Sequence, residues 1–194
     1  MRDLLEMAKS GDAKSQNNLG VAYAKGEGVS KNDVEAVTWF RKAAEQGFAA
    51  AQFNLGVVYD FGRGVAEDKE EALKWWLRSA LQGFAEAQYN LGGLYWTGEG
   101  VDKDPAEAVR WFRRGAEQGF AAAQHNLGVA YRDGEGVPED VAETVKWWLR
   151  AAEQGDARAQ LGLGEMYLFG RGVAQDDAEA VRWWRKAAEQ GPNR

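Results

Sequence analysis

The stretch GFAAAQFNLGVVYDFGRGVAEDKEEALKWWLRSALQ, residues 47–82, returns in nearly the same form as GFAAAQHNLGVAYRDGEGVPEDVAETVKWWLRAAEQ, residues 119–154. The glycine that begins these stretches recurs every 36 residues without insertion or deletion. A fixed period of this length is typical of proteins that stack one helical unit on the next. The chain therefore divides into five repeats, whose positions we number 1–36: 11–46, 47–82, 83–118, 119–154 and 155–190.

Each repeat predicts two helices. The first runs from about position 3 to position 15, because Gln, Leu, Gly and Tyr at positions 6, 9, 10 and 13 share one helical face. A Gly-x-Gly-Val loop follows, and its glycines can adopt the positive φ that ends a helix. Asp68 and Glu71, like their equivalents at positions 22 and 25, resemble a capping box that starts the second helix. Pro105 directly after Asp104 fits the first turn of such a helix.

Two adjacent aromatic residues occupy positions 29 and 30 of every repeat. Neighbouring residues of a helix point about 100° apart, so the two rings cannot contact the same element. We expect the ring at position 30 to pack on the first helix of its own repeat and the tryptophan at position 29 to face a neighbouring repeat. Both are predicted to be structural: Trp39-Phe40, Trp75-Trp76, Trp111-Phe112, Trp147-Trp148 and Trp183-Trp184.

The shared positions, A-x-A-Q-x-N-L-G-x-x-Y-x-x-G-x-G-V-x-x-D-x-x-E-A-x-x-W-W/F-x-x-A-A-E-Q-G, resemble the Sel1-like repeat, a short-loop relative of the tetratricopeptide repeat. The resemblance covers residues 11–190. It implies an all-α fold, a right-handed α/α superhelical solenoid of five 36-residue helix-turn-helix repeats whose first helices line a concave groove. It also implies an adaptor that holds a peptide or partner protein in that groove. The residues independently favour stacked hairpins, because one hairpin cannot bury its apolar face alone.

The two ends of the chain depart from the repeat. Residues 1–10 match positions 27–36 and are predicted to form an N-terminal half-repeat helix that caps the array, with Leu4 at the aromatic position and Asp3 in place of tryptophan. Residues 191–194 read as a short C-terminal tail without a further polar helix. We therefore expect the last repeat to leave one face exposed, to meet a second copy of the chain, or to be covered by further sequence that is not part of this chain.

Composition disfavours several classes of protein. A net charge of −6 and a pI near 5.0 argue against nucleic-acid binding, and the Lys and Arg of the second helices suit a solubilised surface. No apolar run reaches the roughly 18 residues of a membrane span. The chain contains no Cys, and the start MRDLLEMAKSGD is too acidic for a secretory signal. We expect no cofactor or metal and favour the cytoplasm, with a bacterial periplasm left open if the chain is trimmed.

The candidate ligand groove consists of residues that vary on the first helices. Asn recurs at position 8, where it could bond the main chain of an extended ligand or a neighbouring loop; both alternatives stay open. Large apolar or aromatic residues at positions 7, 14 and 15 predict an interaction patch, although some could instead pack under the adjoining loop or between first helices. Arginines add charge selectivity. The predicted groove residues are Asn18, Asn54, Asn90, Asn126, Phe53, Phe61, Tyr89, Trp96, His125, Arg132, Arg158, Leu161, Leu168 and Phe169.

Catalysis has little support in the residues. His125 is the only histidine, none of the serines begins an S-x-x-K motif, and the Gly-x-Gly loops lack the third glycine of a dinucleotide fingerprint. We therefore predict a non-catalytic protein-interaction scaffold without catalytic residues. Two alternatives remain at this point: a hydrolase of the β-lactam-binding type associated with some related repeat proteins, and an idealised repeat scaffold without an evolved ligand.

Overall fold

The computed structural model describes residues 1–189, so the predicted tail 191–194 lies outside the described residues. Within that range the protein is built of helices without a strand, and each repeat supplies two of them. None of these helices is long and apolar enough to cross a membrane. The helices are α1 Arg2–Lys9, α2 Ala13–Lys25, α3 Asp33–Glu45, α4 Ala49–Asp60, α5 Lys69–Leu81, α6 Ala85–Thr97, α7 Pro105–Glu117, α8 Ala121–Asp133, α9 Val141–Glu153, α10 Ala157–Phe169 and α11 Asp177–Glu189.

The chain forms two compact units that divide within α6. The first unit contains residues 1–94 and 98–102, and the second contains residues 95–97 and the chain from Lys103 onward. In the first unit, Leu4 and Ala8 of α1 pack against Leu19 of α2 and Trp39 of α3. The short first helix thus covers the apolar side of the first repeat.

The ring at position 30 packs on the glycine at position 10 of its own repeat, as predicted. A Cβ added at Gly20 would lie 2.6 Å from the ring of Phe40, and one added at Gly56 would overlap the indole of Trp76 even more. The Trp76 indole N–H also donates to the carbonyl oxygen of Phe53 on α4, at 3.1 Å. Glycine is therefore required at position 10, because any side chain would push the two helices apart.

The tryptophan at position 29 joins neighbouring repeats, which confirms its predicted place at the seam. Trp75 belongs to a buried cluster with Phe40 of α3 and Leu55 of α4. The cation at position 32 lies over its ring, with 4.3 to 4.7 Å between the charged group and the ring centroid. This contact gives much of the basic stripe of the second helices a structural role. The pairs are Lys42 on Trp39, Arg78 on Trp75, Arg114 on Trp111, Arg150 on Trp147 and Lys186 on Trp183.

The predicted capping box is only half present. Asp68 Oδ1 accepts a hydrogen bond from the backbone N–H of Glu71 at 2.9 Å, as an N-cap should. The reciprocal bond is replaced, because the N–H of Asp68 donates to the carbonyl oxygen of Tyr59 at 2.9 Å. Glu71 instead forms an ion pair with Lys74 at 3.1 Å. The loop between the helices is thereby closed onto the end of the first helix.

A buried glutamine at position 6 ties each first helix to the preceding second helix. Gln52 Nε2 donates to the carbonyl oxygen of Ala44 at 3.2 Å, and Gln82 Nε2 donates to Gln52 Oε1 at 2.7 Å. Both polar ends of the Gln52 amide are therefore satisfied in a buried place. The bond to the preceding helix recurs at Gln16, Gln88, Gln124 and Gln160.

Two glycine substitutions in the first unit test the contact between ring and glycine. Gly56→Ala should lower the free energy of unfolding by about 1–3 kcal/mol, because the added methyl group overlaps the buried Trp76 ring. Gly93→Ala is the matched control: a Cβ there meets no atom within 4 Å, so helix propensity should raise stability by up to about 1 kcal/mol. Urea denaturation measures both, and equal effects would contradict the proposed role of Gly56.

Candidate functional site

Two of the clefts on the first unit flank α4, one on each side of it. The larger cleft, which we call the Phe40 cleft, lies between α2 and α4 and has a volume of about 430 Å³. Its walls are mainly apolar and its rim carries charged side chains. The lining residues are Val21, Ala24, Lys25, Lys31, Asp33, Ala36, Phe40, Asn54, Val57, Val58 and Arg63.

The second cleft lies between α4 and α6, has a volume of about 300 Å³, and brings together three predicted groove residues: Phe61, Tyr89 and Asn90. Phe61 is 59% exposed, and the cations of Arg63 and Lys69 lie 5.0 and 6.0 Å from its ring centroid. Three of the predicted groove residues therefore lie close together around this cleft.

Lys69 fixes the end of α4 beside Phe61. Its ammonium group donates to Asp60 Oδ1 at 2.8 Å and to the Asp60 carbonyl oxygen at 3.1 Å. The hydrogen bond to Asp60 raises the pKa of Lys69, against a smaller opposing effect of burial. A cation is therefore held next to an exposed aromatic ring.

Two predicted groove aromatics are partly used for packing. Phe53 lies 5.3 Å from Phe84, measured between ring centroids, and joins the cluster around Trp76. Trp96 is half-buried and its ring centroid lies 6.0 Å from that of Phe112. Phe53 thus packs within the protein, which was the alternative to a groove position. Replacing Trp96 would disturb the packing against Phe112 as well as any contact with a ligand.

The Asn residues at position 8 do not behave alike. Asn54 Nδ2 donates to Asn17 Oδ1 at 2.9 Å, so this residue bonds the adjacent first helix and not a loop. Asn126 Oδ1 lies 3.1 Å from His125 Nδ1 within the same helix. Asn18 is exposed, and Asn90 lines the second cleft. A single ladder of equivalent amides is therefore not the arrangement at Asn54 and Asn126.

In the second unit, α8 and α10 present a more polar surface around His125. The His125 ring stacks on Trp148 with an interplanar angle of 10° and 6.1 Å between centroids. Burial lowers the pKa of His125, the hydrogen bond with Asn126 opposes this, and the nearby cations Arg158 and Arg132 lower it further. Burial thus favours the neutral form of the imidazole.

The two arginines near His125 are each held by an acid. Arg132 donates to both carboxylate oxygens of Asp133, at 2.6 and 2.9 Å, and its guanidinium lies 5.5 Å from the Trp148 ring centroid. Arg158 donates to Asp156 Oδ2 at 2.8 Å. Burial alone would raise the pKa of Asp156, but the bonds from Arg158 and from the backbone N–H of Ala159 lower it. This region is thus a fixed charged network beside an aromatic pair.

Beyond that network, α10 carries exposed apolar side chains. Leu161 is 51% exposed and Phe169 is 63% exposed, whereas Leu168 is half-buried. Arg171 lies 5.6 Å from the centroid of the Phe169 ring, which repeats the arrangement of Arg63 on Phe61. Sequence reasoning missed these arginines. The signal was available as Phe-Gly-Arg-Gly at 61–64 and 169–172, where the other three loops have Gly-Glu-Gly.

Among residues 1–189, no group of three or more His, Cys, Asp or Glu side chains is placed to hold a metal ion. His125 is accompanied by an aromatic ring, an amide and two paired arginines.

The single histidine allows a direct test of the electrostatics of the second unit. Its NMR titration should give a pKa below 6.5, because burial favours the neutral ring. Since the unfolded chain then binds the proton first, His125 contributes stability above pH 6.5 that is lost as pH falls through the folded pKa. Arg158→Gln should move the titration upward by removing a nearby cation. A wild-type pKa at or above 6.5 would show that the ring is not buried as described.

Comparison with known proteins places the chain in a family. A profile of the Sel1 repeat matches five consecutive stretches, 13–48, 49–84, 85–120, 121–156 and 157–192. Among curated proteins, none matches the sequence. Sel1 repeat proteins typically mediate protein–protein interactions, and their fold is typically non-catalytic.

Two solved structures are similar in both sequence and fold. One is a protective antigen present in uropathogenic Escherichia coli strains and displaying an SLR fold, 43% identical over 98% of this chain with a TM-score of 0.93. The chain spans 41% of the length of that antigen. The other is a Sel1 repeat protein from Oxalobacter formigenes, 40% identical over 94% of this chain and 75% of its own, with a TM-score of 0.90. The predicted all-α solenoid of five helical repeats is confirmed, and the chain belongs to the Sel1 repeat family.

Proposed function

We propose that the chain is a non-catalytic interaction module that binds a peptide or a partner protein on the exposed side of its first helices. The tendency of Sel1 repeat proteins to mediate protein–protein interactions supports the class of function. The residues on the described surfaces support the location, as follows.

The observation that carries the proposal is the exposure of large apolar side chains at variable repeat positions. Phe61 in the first unit and Leu161 and Phe169 in the second unit are all more than half exposed. The fixed positions of the same helices, such as Leu55 and Leu163, are fully buried. Apolar side chains that the fold does not use for packing are typical anchors of a protein interface.

Charge around these side chains would then select among partners. A guanidinium lies over the ring of each of the two exposed phenylalanines, Arg63 on Phe61 and Arg171 on Phe169. Arg132 and Arg158 are held in position by Asp133 and Asp156. Each guanidinium can bind a carboxylate of a ligand, either beside its own acid or in place of it. Fixed charges at a rim mainly set the specificity and the rate of association.

Exposed aliphatic side chains also occur on the second helices, and they provide a matched control. Leu81 is 67% exposed and Val181 is 50% exposed. Removing them changes the exposed apolar area by a similar amount without touching the first helices.

The test uses two double variants in affinity capture from the source cell. Leu161→Ser with Phe169→Ser should lose the captured partner by more than about tenfold at an unchanged melting temperature, because exposed anchors contribute to binding and little to folding. Leu81→Ser with Val181→Ser should capture the partner as the wild type does. Undiminished capture by the first variant, or equal loss in both, would contradict binding on the first helices.

A further inference from the structure

The Phe40 cleft is a place where the first unit leaves apolar surface uncovered. The ring of Phe40 lines it together with Val21 and Ala24 of α2 and with Val57 and Val58 of α4. Phe40 itself is only 3% exposed, so the open space lies beside its ring and between the two first helices.

The second unit shows what fills the equivalent space. Trp148, at the position of Phe40, reaches from α8 to α10, where a Cβ at Gly162 would lie 2.5 Å from its six-membered ring. Phe112 is also at this position, and there the indole of Trp96 packs against it at 6.0 Å and 53°. An aromatic ring thus occupies this space in both cases.

The first repeat has no tryptophan at position 30 or at position 14. It carries phenylalanine at position 30, like the third repeat, but alanine at position 14: Ala24 stands where the third repeat has Trp96. The Phe40 cleft therefore corresponds to the space that the Trp96 indole occupies in the third repeat. A ligand ring of the size of an indole fits this space.

The rim of the cleft departs from the second unit as well. Lys103 and Glu135 form an ion pair at 2.8 Å, and their equivalents two repeats earlier are Lys31 and Arg63. Arg63 thus puts a guanidinium where Glu135 has a carboxylate. Lys31 and Arg63 both line the Phe40 cleft, together with Lys25 and Asp33. Lys31 pairs with Asp33 only across 3.8 Å. Lys25 pairs with Glu27, also across 3.8 Å. The three cations at this rim thus face two acids, and the excess positive charge favours a ligand that brings a carboxylate.

We infer that the Phe40 cleft binds an aromatic side chain within an acidic peptide segment of a partner. The ring packs on Phe40 as Trp96 packs on Phe112, and a flanking carboxylate lies between Lys31 and Arg63 as Glu135 pairs with Lys103. This assignment rests on the proposed interaction function and deepens it by naming the ligand chemistry.

The experiment measures fluorescence anisotropy of short fluorescein-labelled peptides against the whole chain. The probe peptide carries one Trp flanked on each side by two Glu; a second peptide has Ala in place of Trp, and a third has Lys in place of Glu. The probe should bind about tenfold or more tightly than either of the other two. Equal binding of all three, or no binding of the probe, would overturn the assignment.

Two substitutions convert the cleft to the arrangement of the second unit. Ala24→Trp should fold with an unchanged or raised melting temperature and should weaken probe binding by about tenfold or more, because the introduced indole occupies the space. Arg63→Glu should fold normally, lose preference for the acidic probe and gain affinity for the lysine-flanked peptide. If Ala24→Trp unfolds the protein, Arg63→Glu alone decides. Undiminished probe binding by a folded variant would overturn the assignment.

A matched control separates the rim charge from a general effect of charge. Arg110→Glu replaces an exposed arginine on α7, outside the Phe40 cleft and the proposed anchors, and should leave probe binding unchanged; an equal loss would refute the role of Arg63. The outcome is independent of the partner-capture experiment, which changes only Leu161 and Phe169. Failure of the peptide test with loss of capture by that variant would reject this ligand and keep the interaction function.

Discussion

The fold depends on the close approach of an aromatic ring to a helical glycine inside each repeat. The Trp76 ring lies where a side chain at Gly56 would be, and its N–H bonds the carbonyl oxygen of Phe53 on the same helix. This contact fixes the distance between the two helices of a hairpin. When the ring is an indole, as in Trp148, its far edge also contacts the next first helix at Gly162. One residue thus determines both the geometry of its own hairpin and the spacing to the next.

Packing between repeats depends more on the apolar area that the tryptophan rings bury than on hydrogen bonds of their N–H groups. The indole N–H groups of Trp39, Trp75, Trp111 and Trp183 are buried without a partner among residues 1–189, whereas Trp147 donates to Glu143 at 2.9 Å. An unpaired buried donor costs about 1–3 kcal/mol. The large area buried by each tryptophan and the cation over its ring offset that cost. Directional bonding at the seam comes instead from the glutamine amides.

The sequence predicts most of the fold because its strongest signals are periodic. Five equal spacings define the repeats, and the 100° rotation between adjacent residues assigns the two aromatic positions to different neighbours. The role of Gln52 could not be predicted, since an amide can bond many groups and the carbonyl oxygen of Ala44 is placed only by tertiary packing. The same holds for the bond from Asn54 to Asn17, which depends on a different residue type at position 7 of the first repeat.

The candidate site is less predictable than the scaffold because it depends on combinations of positions. Trp96 appears free when position 14 is considered alone, but it packs because position 30 of its repeat is Phe112. The Phe40 cleft arises from the joint presence of Ala24 and Phe40, which lie in different helices. Neither residue is unusual by itself. Phe61 and Phe169 were predicted as groove residues, whereas their partners Arg63 and Arg171 were missed although the Phe-Gly-Arg-Gly motif sets these two loops apart in the sequence.

The glutamine amide that joins consecutive helices has an evolutionary consequence. Because the bond between Gln52 and Ala44 has the same form as the bond between Gln124 and Ala116, repeat boundaries in both units are chemically interchangeable. A 36-residue segment cut at its leading glycine can therefore be duplicated, deleted or moved by recombination and still find a compatible neighbour. The number of repeats can thus change without a new kind of contact between neighbours.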